Sequence, residues 1–451
     1  MDCTGQSKMD VRKKIWIMKE FKIRDSPLIT RFKNSDDWKT LYNVFVMMFI
    51  AMLTYTACDD FMLGGSSYLG FRLIWLGFDK PHFVILVWST SNVLACVNYM
   101  CFMIWARIRT SLKPTGTKLW DTLWISLLIV YYFGFLYGLQ VIGNLLSFSM
   151  CSGAVLFIEQ VRLLMKQHSF IRTNAPRVLA FEKHSNDDSL QIPNFGKFLY
   201  FLFAPTMIYQ DDYPRTSHIR WKFVLYNFGE IFATMWLVSL VGQKFLFLSF
   251  RGLCLRKFAL GEIITPVFTH VVVGFFILLS TFYTILHASQ NAFAEMLRFG
   301  DRMFYKEWWH SKSLSEFYRT WNVLVHEWLY MFIFRDVYET FVLKNETAAK
   351  FTVFVVSAVV HEWVLFNIFR FFLPVHLVLF LLTGAVFAVI NLLDVRWGNL
   401  LVLYSLALGF CIQVHLFTIE FFARLNCPVS ENVTGLEFYV PRFITCNCIN
   451  L

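Results

Sequence analysis

Long apolar runs, unbroken by charge, constrain this chain more than any other feature of its sequence. Roughly 20 consecutive apolar residues are needed to cross the hydrocarbon core of a bilayer. Several runs reach that length, and 57% of the 451 residues are hydrophobic while 16% are charged. Because only helices and closed barrels satisfy their backbone polar groups in lipid, these runs predict an all-α integral membrane protein.

We predict about nine transmembrane helices, with further helices lying at the membrane interface. Their approximate bounds are 41–58, 82–105, 119–138, 141–165, 222–248, 264–286, 350–370, 373–393 and 398–422. The fourth is the weakest of them, since it carries Glu159 and Arg162 near its end. Segment 195–209 is apolar but short and contains Pro205, so we expect it to be interfacial or re-entrant.

The charges between the apolar runs predict the orientation. Residues 1–40 form a basic N-terminal segment, 41–424 the transmembrane domain and 425–451 a polar tail. Lys and Arg concentrate in the N-terminal segment and in the 106–118 loop, and basic loops stay cytosolic. An odd number of spans then places the C-terminus in the lumen, and we expect the membrane to be that of the endoplasmic reticulum. The basic loop 249–263 disagrees, because this orientation puts it in the lumen.

The net charge of +10 does not indicate nucleic acid as a partner. The basic residues stand in short clusters between apolar runs, where they serve as topology signals and phosphate-facing loops. In the tail, a glycosylation sequon at Asn432 suits the lumen, whereas one at Asn345 falls on the cytosolic side and should be unused. Cys427, Cys446 and Cys448 cluster there too, and oxidising conditions permit a disulfide.

His361 and Glu362 form an ionisable pair inside an otherwise apolar run. Such a pair is costly in a membrane and indicates function, although a structural histidine bonded to a neighbouring helix is the alternative. A neutral imidazole is suited to accept a proton near neutral pH, so His361 is our candidate general base. Ser357 lies one helical turn earlier on the same face, where we expect it to support the histidine or touch an acyl chain.

Residues 304–328, FYKEWWHSKSLSEFYRTWNVLVHEW, combine aromatic and cationic side chains. Candidates for phosphate contacts are Lys306, Lys312 and Arg319, because these side chains bind phosphate generally. Candidates for an apolar or stacking surface are Trp308, Trp309 and Trp321. The alternative is an aromatic belt at the membrane interface.

Three of these motifs together resemble the membrane-bound O-acyltransferase family, and within it the sterol O-acyltransferase branch. They are FYKEWWH at 304–310, RTWN at 319–322 and HEW at 361–363. The segments FIRTNAPR (170–177) and FLFAPTMIYQDDYPRT (201–216) and the C-terminal cysteines add to the likeness. It extends from about residue 40 to the end. This chain has Glu307 and His310 where the family has Asp and Asn.

The resemblance implies acyl transfer from long-chain acyl-CoA to a sterol hydroxyl, with no metal and no cofactor beyond the acyl-CoA substrate. It implies His361 as general base and Asn322 acting at the thioester carbonyl or orienting the reacting groups. The substrate-binding positions that it implies are Tyr305, Glu307, Trp308, Trp309, Tyr318, Arg319, Trp321, His326, Ser357 and Glu362. It also favours a Cys427–Cys446 disulfide over one with Cys448, and a homodimer or higher homo-oligomer in the membrane.

Two other functions stay open. Diacylglycerol O-acyltransferases belong to the same family and share the Asn and His, although the FIRTNAPR and YPRT segments favour the sterol branch. A transporter or channel would also carry polar intramembrane residues, but the sequence shows no inverted repeat and no paired broken helices.

Overall fold

Helices make up the regular structure of the chain in the computed structural model. The structure describes residues 19–62, 64, 68–181, 192–255, 259–341, 345–390, 397–428 and 439–445. Within these ranges no β-strand forms, and two isolated β-bridges join Arg24 to Asp301 and Arg215 to Phe299. The predicted all-α fold class is confirmed.

Sixteen α-helices follow one another in the described residues, and short 3₁₀- and π-helical segments between them are not numbered. The first half of the chain contains α1 (Pro27–Asn34), α2 (Asp36–Met62), α3 (Phe71–Gly77), α4 (Pro81–Ser111), α5 (Pro114–Leu146), α6 (Met150–Leu179), α7 (Phe195–Phe203) and α8 (Trp221–Phe250). The second half contains α9 (Leu260–Thr269), α10 (Val271–Met296), α11 (Leu314–Trp321), α12 (Val323–Leu329), α13 (Glu346–Phe369), α14 (Val375–Ile390), α15 (Gly398–Asn426) and α16 (Arg442–Thr445). A π-helical turn, Tyr283–Ser289, lies within α10.

Seven of the described helices are long and apolar enough to cross a bilayer, namely α2, α4, α5, α8, α10, α13 and α15. The membrane prediction is therefore confirmed, whereas the count of nine is not. The predicted span 141–165 is wrong in its bounds, because the chain breaks between α5 and α6. Ser147 adopts a left-handed φ of 51°, and Ser149 Oγ lies 2.8 Å from Asp79 Oδ1. The predicted span 373–393 corresponds to α14, which has 16 residues.

Contacts between loops show which helix ends lie together, and they define two opposite faces of the protein. We call the face that contains Arg24 the N-terminal face. There the guanidinium of Arg24 donates to Asp301 in the loop after α10 at 2.7 Å. The start of α15 joins the same face, because Asn399 Nδ2 donates to the carbonyl of Trp309 at 2.9 Å.

The other helix ends meet on the opposite face. Lys244 in α8 pairs with Asp59 at the end of α2, and Arg370 after α13 donates to the carbonyl of Phe148 at 2.9 Å. The C-terminal end of α15 lies there as well, since Asn426 Nδ2 donates to the carbonyl of Leu253 at 2.8 Å. Helix α6, although outside the seven, begins at this face, since Phe148 lies just before it.

The contacts of α6 account for the charged residues that made the predicted span 141–165 the weakest of the nine. Buried Lys166 donates to the carbonyls of Phe201 and Ala204 at 2.6 and 2.5 Å, and Arg162 donates to the carbonyl of Leu202 at 2.7 Å. The last carbonyls of a helix have no partner within it, so the α6 cations satisfy the end of α7. The segment predicted as interfacial or re-entrant, 195–209, is thus α7 and a turn bound to α6.

Candidate active site

His361 lies in the middle of α13 with an exposed side chain. Its Nδ1 is 2.7 Å from the backbone carbonyl oxygen of Ser357. A carbonyl oxygen only accepts, so Nδ1 carries the proton and Nε2 carries the lone pair. The Ser357 contact that the sequence predicted is therefore made by its backbone. It leaves His361 with a free basic nitrogen.

A small aromatic cluster surrounds the His361 ring. The ring of His376 stacks on it, with centroids 4.9 Å apart and planes 23° apart, and Phe380 lies 6.0 Å away. Tyr318 of α11 packs on Phe380 with centroids 5.3 Å apart. Tyr318, one of the predicted substrate-binding positions, thus reaches the histidine through Phe380, and the cluster adds two α14 residues that the sequence motifs do not include.

Asn322 stands at the junction between α11 and α12. Its Oδ1 accepts a hydrogen bond from the backbone N–H of Val325 at 3.2 Å and so caps α12. In the described part of the chain its Nδ2 has no acceptor, which leaves this amide able to donate to a substrate oxygen.

Two backbone hydrogen bonds tie this junction to the FYKEWWH segment. The N–H of Lys306 donates to the carbonyl of Thr320 at 2.7 Å, and the N–H of Val323 donates to the carbonyl of Phe304 at 2.9 Å. Asn322 lies between these two anchors. The two motifs, adjacent in the sequence, therefore form one folded unit.

The aromatic residues of the motifs pack inside the protein. Tyr305 and Trp308 are buried, and Trp321 packs 4.8 Å from Trp308 and 5.1 Å from Phe282. Tyr305 Oη lies 2.6 Å from His287 Nδ1, and burial raises the pKa of this hydroxyl. In this structure Tyr305 and Trp308 support the loop from within and present no surface on which a ligand could stack.

The cations of this loop face outward. Arg319 donates to the carbonyl of Ser315 at 3.1 Å and is exposed, as are Lys306 and Lys312. Within the described residues none of the three forms an ion pair. Burial lowers the pKa of the nearby His326, and the charges of Arg319 and Lys306 lower it further. These three cations are available to an anionic ligand on the N-terminal face.

Glu362 does not contact the His361 ring. It is 6% exposed, and its Oε2 accepts a hydrogen bond from the N–H of Leu377 at 3.1 Å. Glu362 therefore holds the first turn of α14, where His376 lies. These contacts support a structural role near the site, and the substrate contact stays a prediction.

Residues 19–34, which we call the N-terminal strap, cover the loop from the outside. Three cations of the strap pair with three acids at 2.6 or 2.7 Å: Lys19 with Glu327, Arg24 with Asp301 and Arg31 with Glu307. The sequence indicated these cations only as topology signals. Glu307, one of the two departures from the family motif, thus binds the strap, and His310 Nδ1 lies 3.5 Å from it.

The remaining predicted positions are Trp309 and the residues of the C-terminal tail. The ring of Trp309 packs 5.4 Å from Trp38. Cys427 is disulfide-bonded, and so is Cys254, which the sequence did not indicate. Cys446, the predicted partner of Cys427, lies outside the described residues, as do Cys448 and Asn432, so that pairing stays a prediction.

These features bring together a basic loop and two nitrogens that have no partner among the described residues, Nε2 of His361 and Nδ2 of Asn322. The family model of the membrane-bound O-acyltransferase family matches residues 110–419, and the chain belongs to this family.

Within the family, the chain belongs to the sterol O-acyltransferase branch. It is 37% identical to mouse Sterol O-acyltransferase 1 over 424 residues, which cover 92% of this chain and 77% of the mouse protein. It is 34% identical to human Sterol O-acyltransferase 2 over 438 residues, covering 95% of this chain and 80% of the human protein. The resemblance read from the motifs is confirmed.

Proposed function

We propose that this protein transfers a long-chain acyl group from acyl-CoA to the hydroxyl of a sterol, forming a steryl ester and CoA. Family membership and the similarity to sterol O-acyltransferases support the reaction class. The observation that carries the chemistry is the 2.7 Å contact between His361 Nδ1 and the Ser357 carbonyl. It holds an imidazole lone pair inside an apolar helix, where a hydroxyl proton can be removed.

In this mechanism Nε2 of His361 takes the proton as the sterol oxygen attacks the thioester carbonyl. The carbon–sulfur bond then breaks, and the CoA thiolate takes the proton back from the imidazolium. Proton transfer of this kind contributes about 10²–10⁴-fold. Nδ2 of Asn322 donates to the oxyanion, and the loss of one such donor costs about 10²–10³-fold. No metal or further cofactor is needed.

The acyl-CoA enters from the N-terminal face. CoA is polyanionic, and Lys306, Lys312 and Arg319 offer it three exposed cations that form no ion pair among the described residues. Both lipid groups, the acyl chain and the sterol, reach His361 from the apolar side. A cytosolic N-terminal face fits this division, because acyl-CoA is water-soluble at its CoA end.

The same division supports a topology, which is part of the proposal. We place the protein in the endoplasmic reticulum membrane as a homodimer or higher homo-oligomer, with the opposite face lumenal. The disulfide-bonded Cys254 and Cys427 suit an oxidising lumen. Asn432 is then glycosylated and Asn345 is not. Glycosidase treatment of Asn432→Gln and Asn345→Gln variants tests this, and a mobility shift lost in Asn345→Gln would reverse the topology.

Purified protein in lipid nanodiscs, supplied with radiolabelled oleoyl-CoA, tests the reaction. We expect label in steryl ester when a sterol is offered, and little in triacylglycerol when diacylglycerol is offered. Preferential labelling of triacylglycerol would replace the sterol by diacylglycerol as the acceptor. No labelled ester with either acceptor would end the proposal.

A further inference from the structure

A second histidine on α14 lies against the proposed base. The rings of His376 and His361 stack at 4.9 Å. On its other side His376 reaches α15, where its Nδ1 is 3.1 Å from Gln413 Oε1. An amide oxygen only accepts, so Nδ1 of His376 carries the proton and Nε2 carries a lone pair.

The Nε2 lone pair of His376 accepts no hydrogen bond from the described residues. The atom is buried and has no hydrogen-bond partner in the described part of the chain. Nearly all buried polar atoms in proteins have a partner, and one without it destabilises the fold. A leucine at this position would fill the space without that penalty. The imidazole therefore offers a buried acceptor to a ligand hydroxyl.

The ring is held firmly in place. Glu362, the residue after the base, accepts the N–H of Leu377 at 3.1 Å and so fixes the first turn of α14. Phe380, one turn further on, packs 4.5 Å from His376 and 6.0 Å from His361. A rigid support of this kind is what a binding residue needs in order to hold a ligand group in one geometry.

We propose that His376 is a specificity-determining residue of the acceptor pocket, whose Nε2 accepts a hydrogen bond from a second hydroxyl beside the reacting one. This rests on the proposed function. In the proposed mechanism Nε2 of His361 accepts the proton of the reacting hydroxyl. A second hydroxyl beside it therefore donates its hydrogen bond to Nε2 of His376. A sterol with one hydroxyl leaves Nε2 without a donor. A sterol with two adjacent hydroxyls supplies one from the exposed side of His361, once a small movement of the side chains around the fixed His376 ring uncovers the buried Nε2. Sterols with adjacent hydroxyls are the substrate class assigned here.

The test compares two acceptors, cholesterol and the same sterol with a further hydroxyl at the neighbouring carbon C4. For the wild type we expect kcat/KM to favour the diol. In His376→Leu this preference falls about five- to tenfold, which is the value of one net hydrogen bond. Phe380→Leu is the matched control, because it removes ring packing on both histidines and no hydrogen bond. It should lower both rates and leave their ratio unchanged.

An unchanged ratio in a monodisperse His376→Leu protein would overturn the inference, as would an equal fall for both acceptors. Equilibrium binding of the two radiolabelled sterols, without acyl-CoA, gives the same ratio independently of turnover. Failure of the proposed function gives a different result, because the wild type would then turn over neither sterol.

Discussion

The N-terminal strap and the histidine pair of α13 and α14 differ in whether their polar groups have partners within the protein. In the strap, Lys19, Arg24 and Arg31 each meet an acid. In the pair, each imidazole uses Nδ1 on the protein and keeps Nε2 without a partner among the described residues. Paired groups fix a position, whereas unpaired groups stay available to a substrate. The difference separates the support of this site from its chemistry.

The largest expected effect is at the unpaired base. His361→Ala should lower turnover by about 10²–10⁴-fold, because the proton acceptor is removed. Acyl transfer by the purified, monodisperse variant is the measurement. Ser357→Ala is the matched control: the backbone carbonyl that orients His361 remains, so activity should stay within a few-fold. A folded His361→Ala protein with near-normal turnover would refute the mechanism.

Asn322 combines both kinds of polar group in one side chain. Its Oδ1 is paired and caps α12, whereas its Nδ2 has no partner among the described residues. Asn322→Ala should lower kcat by about 10²–10³-fold, as expected for a lost oxyanion donor. Asn322→Asp keeps the capping oxygen but has no amide donor. Its kcat should fall similarly while its stability is retained. If Asn322→Asp restores kcat, capping alone is the role of this residue.

Arg319 extends the comparison to the exposed, unpaired cations. Arg319→Ala should raise the KM for acyl-CoA about tenfold, since a hydrogen bond to a charged group is worth roughly 1.5–3 kcal/mol. The KM for sterol should not change. Lys350→Ala is the control, because Lys350 is already paired with Glu346. Equal KM values for acyl-CoA in wild type and Arg319→Ala would exclude a phosphate contact.

The smallest effect is expected within the strap. The Arg31–Glu307 pair is 42% and 37% exposed, and pairs this open contribute about 0.2–1 kcal/mol. A double-mutant cycle with Arg31→Ala and Glu307→Ala, read by thermal unfolding in detergent, should give a coupling in that range. A coupling above about 2 kcal/mol would show that the strap stabilises the loop far more than an exposed pair does.

The sequence predicted the helical membrane fold well, because apolar run length is a strong signal. It predicted the break between α5 and α6 poorly. That break depends on Ser149 binding Asp79, two residues that are 70 positions apart. The polar side chains of α6 misled for a similar reason, since Lys166 finds its acceptors only after α7 has folded against it.

For the site, the motifs pointed to His361, Asn322 and Tyr318, and to the exposed Arg319. They did not reveal that Trp308 and Tyr305 are buried, because a tryptophan-rich segment has the same composition on a surface or in a core. His376 was missed although it is an ionisable residue within a predicted span, a signal that the sequence did offer. The pairing of Glu307 with Arg31 spans 276 positions and has no local signal.

The strap also sets the order in which the protein can be completed during synthesis. Arg24 leaves the ribosome 277 residues before its partner Asp301. At about 5–20 residues per second, that interval is roughly 14–55 s. Throughout it the three cations of the strap have no acid partner, because the loop that holds Asn322 has not yet been synthesised. The strap is therefore already present when the loop emerges, and a polypeptide supplying residues 19–34 separately is a candidate for restoring function to a chain that begins after the strap.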